Sequence, residues 1–189
     1  RKESSAASDV YKRQGNIRGY LKDTEFITYS CIVLFVTLFI FLNISSSSFN
    51  WTHANFLDSL FQSVSILTTT GFGSADYELW PFFSQYVILI LMFVGGMGGS
   101  TGGGMKVSRV ILLLKYAATE TRRMLHSRAI IRIRIGDRFI GDDVIRNTLG
   151  FFLFYILIFA VTTLILTTLN LDFQTSIGAA ASAIGNIGP

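Results

Sequence analysis

All 16 lysines and arginines fall within residues 1–22 or 106–146, and none occurs in 23–105 or 147–189. A water-soluble domain spreads its basic residues over its surface, so a chain sorted in this way is expected to alternate membrane spans with short outer loops. Under the positive-inside rule, residues 15–25 and 106–146 belong on the cytoplasmic side. The connections near 45–55, 73–80 and 170–172 carry only Asp76, Glu78, Asp172 and uncharged groups. Half the residues are hydrophobic and the mean hydropathy is +0.49, as membrane segments require. The pI of about 9.4 therefore reports topology. With no recognition module beside the charge, nucleic acid is not an expected partner. The basic loop reads as a topology determinant first and an anionic-lipid contact second.

Cys31 is the single cysteine, which excludes disulfides and thiolate metal centres. His53 and His126 fall on opposite expected sides of the membrane, so they cannot share a metal. Residues 1–14 are polar and end in Asp9-Val10-Tyr11-Lys12-Arg13-Gln14, which resembles the translated end of a transposase sequencing adapter. They are set apart from fold reasoning as a scar or tail. On that reading the chain is a fragment, truncated upstream and, at Pro189, downstream.

Residues 26–42 form an uninterrupted apolar run long enough to span at about 1.5 Å per residue. A Ser-rich outer connection is expected over 43–50. Residues 55–67 are apolar but too few to cross, which predicts a re-entrant half-helix. Irregular backbone at membrane depth is tolerated only where protein buries it or it lines a water-filled cavity. Pro81 suits the start of a helix. Residues 82–116 read as one broken helix, interrupted at 95–104, where seven of ten residues are glycine. The alternation over 131–135, followed by Gly136-Asp137, predicts a small cytoplasmic hairpin. Asp142 and Asp143 suit a helix start. Residues 148–169 form a further span and 173–184 a second half-helix. Asp58 and Asp172 are expected to be dipole partners at the half-helix starts.

A shift of 117 residues aligns Glu25 with Asp142, Phe56 with Phe173, Ser59 with Ser176, Ser65 with Ser182 and Gly71 with Gly188. The fold class is thus an all-α membrane protein of tandem span–re-entrant pore loop–span repeats, of the potassium-channel type. Residues 15–116 form one repeat, 117–142 a cytoplasmic linker, and 143–189 an incomplete second copy.

Thr69, Thr70, Gly71, Phe72 and Gly73 follow the first half-helix, and Asn186, Ile187 and Gly188 follow the second. Small or hydroxylated residues before a permissive glycine are what a carbonyl-lined potassium filter needs, since carbonyl oxygens there replace the ion's hydration shell. Potassium ligands are expected at Thr69, Thr70, Gly71, Asn186, Ile187 and Gly188. Each half-helix would aim the negative end of its dipole at the ion. Gly95, Gly96, Gly98, Gly99, Ser100, Thr101, Gly102, Gly103 and Gly104 read as a movable barrier beneath that filter. They are not a phosphate loop, because Gly104-Met105-Lys106-Val107 lacks the required Gly-Lys-Ser/Thr order. Nor do they form a dinucleotide fingerprint, since Thr101 occupies its last glycine position.

The segments 68–73, 98–107 and 184–189 together resemble the TrkH/KtrB potassium transporters of the Trk/Ktr/HKT superfamily, from about residue 16 onward. That resemblance implies a pore of four unequal repeats in one chain, of which this sequence supplies the third and most of the fourth. It also implies a glycine-loop gate and a homodimer in the cell's inner membrane. A cytosolic nucleotide-binding regulatory subunit of the TrkA/KtrA type is implied as partner. No organic cofactor and no catalysis are expected. Two other readings compete: a subunit of a homotetrameric potassium channel, which carries one filter loop per chain rather than two, and a membrane-anchored enzyme, for which no nucleophile–base pair or metal cluster is seen.

Overall fold

The computed structural model describes residues 23–48, 52–125, 133–136 and 138–188. The tail 1–14, His126, residues 131–132 of the alternating segment, Asp137 and Pro189 lie outside them.

Helix α1 (Thr24–Ser48) opens with the Asp23 carboxylate accepting the Glu25 N–H at 2.9 Å. It is apolar all round, the composition of a membrane span. It also takes in the serines expected to form a loop, which corrects that reading. Serine is only mildly unfavourable in a helix, and packing decides here. Ser45 is fully buried, and the Ser84 hydroxyl donates to Asn43 Oδ1 at 2.8 Å.

Helix α2 (His53–Leu67) is the predicted half-helix, with the Thr52 hydroxyl capping the Asn55 N–H at 3.3 Å. It buries a polar face, Ser59, Gln62, Ser63 and Ser65, and turns Leu57 and Phe61 outward. That inversion suits a helix between lipid and a polar interior. A short 3₁₀ turn (Tyr77–Leu79), capped by Asp76, leads to α3 (Phe82–Phe93). Pro81 stands immediately before α3, and its carbonyl accepts the Ser84 N–H at 2.8 Å.

The chain then breaks and resumes as α4 (Val107–Leu125), which runs well past Tyr116. Its later turns bury Thr119 and carry Arg122 and Arg123 at the exposed end, so an amphipathic rather than uniformly apolar stretch completes it. Strands β1 (Arg134–Ile135) and β2 (Arg138–Phe139) form the predicted antiparallel hairpin, with Arg134 opposite Phe139. Helix α5 (Asp142–Thr167) carries Asp142 and Asp143 in its first turn, and α6 (Phe173–Gly185) is the second half-helix.

The α1–α2 pairing recurs as α5–α6, while α3 packs across onto α6 and α4 onto α5. One core cluster joins both copies: Ile40, Ile66, Leu67, Ile88, Leu91, Met92, Ala181 and Ile187. Leu112, Ile133 and Ile145 make a smaller cluster that seats the hairpin against α4 and α5. Helices α1 and α5 have the length and hydropathy of membrane spans. Their Leu34, Phe35, Leu153, Phe154 and Leu164 project outward and are exposed, as a lipid-facing surface demands.

Candidate functional site

The ends of α2 and α6 unwind in the same way. Thr69 and Asn186 are left-handed, with φ of 57° and 53°, and Gly71 and Gly188 follow at 78° and 77°. Thr69 N–H reaches the Ile66 carbonyl at 3.0 Å and Thr70 N–H the Ser65 carbonyl at 2.8 Å. Asn186 N–H reaches Ala183 at 3.1 Å and Ile187 N–H reaches Ser182 at 3.0 Å. Every one of these pairs is related by the 117-residue shift. Glycine takes the left-handed region freely, and asparagine tolerates it better than most residues. Interleaving left-handed with ordinary residues is a way to turn successive carbonyls toward one side.

Serines at equivalent positions brace the two loops. The Ser65 hydroxyl donates to the Phe72 carbonyl at 2.6 Å, and the Ser182 hydroxyl accepts the Gly188 N–H at 3.1 Å. The loops also touch one another: a β-carbon on Gly71 would lie 2.0 Å from the Ile187 carbonyl oxygen. Thr69, Thr70, Gly71, Ile187 and Gly188 are therefore brought together. Phe72 and Gly73 continue outward, with the Phe72 ring largely exposed.

The glycine-rich segment lies against the inner ends of both half-helices. The Gly103 N–H donates to the Thr69 hydroxyl at 3.2 Å. A β-carbon on Gly102 would meet that hydroxyl at 2.5 Å, and one on Gly103 the Gly185 carbonyl oxygen at 2.1 Å. Low helix propensity and conformational freedom make a poorly held backbone the sequence expectation, yet the segment is tied at several points. Val94 and Met105 form a parallel bridge, with Gly95 N–H to the Met105 carbonyl at 2.8 Å. The Lys106 ammonium donates to the Ser100 carbonyl and hydroxyl, both at 3.0 Å, and to the Gly102 carbonyl. The Glu25 carboxylate accepts the Gly98 N–H at 2.6 Å and the Ser108 N–H at 3.2 Å, linking α1 to the loop and to the start of α4. Ser100 and Thr101 are exposed at the tip.

Several participants were not singled out from sequence. Ser65 and Ser182 were visible as a repeat-matched pair but had no role. Glu25 and Lys106 read as flanking charges, because nothing local shows that they fold back onto the loop. Asp58 is not at the helix start, since Thr52 caps α2 and Asp58 instead accepts the Ser74 hydroxyl at 2.9 Å. Asp172 does cap α6: the Thr175 hydroxyl and N–H hold its carboxyl below the usual range. Burial, with Glu78 and Asp76 nearby, pushes the Tyr77 hydroxyl upward. Cys31 is free and exposed.

Comparison with known proteins gives consistent matches. The family model described as TrkH, cation transport protein, covers residues 25–189. The Trk system potassium uptake protein TrkH of Vibrio parahaemolyticus is 38% identical over 172 residues, 90% of this chain and 35% of that protein. TrkH of Escherichia coli K12 is 31% identical over 179 residues, 92% of this chain and 36% of that protein. The crystal structure of the potassium transporter TrkH from Vibrio parahaemolyticus superposes with a TM-score of 0.85 at 36% identity. It is matched over 92% of this chain and 37% of its own. The chain thus spans a little over a third of the length of these relatives.

Proposed function

Because the chain belongs to the TrkH family of cation transport proteins, a family of membrane transporters rather than enzymes, we propose that it forms part of a potassium-conducting pore. Potassium passes the loops 69–73 and 186–188, and carbonyls of Thr69, Thr70, Gly71, Asn186, Ile187 and Gly188 replace its hydration water. The observation that carries this reading is the contact of Gly71 with Ile187 between two loops of matching dihedral signs. Partial negative charge at the C-terminal ends of α2 and α6 favours a cation at the same place. A tetrameric channel with one filter loop per chain is disfavoured by the second loop.

Residues 95–104 act as the gate. They abut Thr69, just past the end of α2, and Gly185, the last residue of α6, on the side from which α4 leaves. Glu25, Lys106 and the Gly95–Met105 bond would hold the blocking position. By the positive-inside rule that side is cytoplasmic, where a nucleotide-binding subunit of the TrkA/KtrA type would act on the gate. The assembly is a homodimer in the inner membrane, contacting anionic lipid through its basic segment.

The test is Gly71→Ser in the complete transporter that carries this chain. A side chain there meets the Ile187 carbonyl and is strained at φ 78°. We expect potassium-over-sodium discrimination in competitive rubidium uptake to fall by about tenfold, as for roughly 1.4 kcal/mol of differential ion binding. An unchanged ratio in a membrane-inserted mutant would remove residues 69–73 from the ion path.

A further inference from the structure

Gln62 is fully buried in α2, and neither its Oε1 nor its Nε2 has a hydrogen-bond partner among the described residues. Its neighbours on the same buried face are satisfied. Ser59 and Ser63 donate to the Asn55 and Ser59 carbonyls at 2.6 and 2.7 Å, and Ser65 donates to Phe72. An amide buried without partners is costly, and an apolar side chain of the same length would avoid the cost. The half-helix fold does not demand it, because the 117-residue shift places Ala179 at the equivalent position of α6. Gln62 Oε1 lies 3.9 Å from where a β-carbon on Gly73 would stand, so the amide sits directly behind the outer part of the loop. The Gly73 carbonyl and the Ser74 N–H, which share one peptide unit, also have no hydrogen-bond partner among the described residues.

An amide offers both a donor and an acceptor. If the peptide linking Gly73 to Ser74 rotates, the Ser74 N–H and the Gly73 carbonyl turn alternately toward the rear of the loop. Glutamine meets either one, the first through Oε1 and the second through Nε2. A carboxylate could serve only the N–H. We propose that Gln62 is a positioning residue for the outer half of the filter: it holds the Gly73 peptide from behind as the loop closes on an ion, and so helps set the ion size the loop accepts. This rests on the filter reading above.

The test compares Gln62→Met and Gln62→Glu with wild type in the complete transporter, measuring rubidium uptake, its inhibition by sodium, and thermal stability in detergent. Gln62→Met keeps length and packing, so the protein should remain inserted with undiminished thermal stability. Its potassium-over-sodium discrimination should fall by about fivefold, the factor corresponding to one net hydrogen bond. Gln62→Glu retains the acceptor and should fall between the two. A Gln62→Met protein with the wild-type ion ratio, whether more or less heat-stable, would overturn the proposal. Gly71→Ser measured in parallel separates the failures. If it changes the ratio and Gln62→Met does not, only the role of Gln62 falls; if neither does, the filter reading falls with it.

Discussion

A methyl group on Gly103 would meet the Gly185 carbonyl oxygen at 2.1 Å and the Asn186 β-carbon at 2.8 Å. The first of these is backbone and cannot swing aside. Overpacking of this kind typically costs about 1–3 kcal/mol, and the loop can escape it by moving away from α6. Gly103→Ala should therefore raise basal rubidium uptake severalfold while leaving the potassium-to-sodium ratio unchanged; an inserted mutant with wild-type flux would show that residues 102–103 do not obstruct the path. The left-handed turns at Gly71 and Gly188 were legible in the sequence, since each glycine follows shortly after a half-helix. Gln62 left a fainter sign, an amide midway along a segment otherwise mostly apolar residues and serines. What no local pattern could show is its distance from Gly73, because ten residues of chain lie between them and only the folded loop brings them together.

The half-helices, the Asp172 cap of α6 and the interruption after α3 were readable, because length against membrane thickness and glycine content are strong local constraints, whereas the Thr52 cap of α2 was not. The end of α1 was not. A run of four serines looks like a loop, yet Ser84 and the surrounding helices keep it helical. The interruption itself, where glycine content alone implies a loose backbone, is fastened at both ends and at its tip. This sharpens what a deletion should do. Removing residues 99–103 abolishes the contacts with Thr69 and Gly185 and part of the Lys106 cage, but spares the Gly95–Met105 bond and thus the α3–α4 connection. Rubidium uptake per inserted protein should rise and lose most of its dependence on a cytosolic regulator, with selectivity intact. Uptake still regulated as in wild type would place the barrier elsewhere.

The molecule joins two copies of one unit through a shared core, and its basic hairpin hangs from α4 and α5 on the expected cytoplasmic face. Lys115 holds that hairpin through the Arg134 carbonyl at 2.7 Å, leaving the Arg134 guanidinium over the Phe139 ring. If a regulatory subunit docks there, Arg134→Glu combined with Arg132→Glu should weaken nucleotide control of uptake in proteoliposomes by about tenfold or more, since like-charge juxtaposition at an interface costs several kcal/mol. Basal uptake should not change, and full retention of control would reassign these arginines to lipid. The two copies are joined but not alike: Thr69-Thr70-Gly71 faces Asn186-Ile187-Gly188, and only one has an amide behind it. In a ring of identical subunits, one codon change alters every side of the ion at once. On the filter reading proposed above, the two loops are walls encoded separately, so heredity can adjust the grip on an ion one wall at a time, and a mutation that would ruin a symmetric ring becomes a small step in affinity.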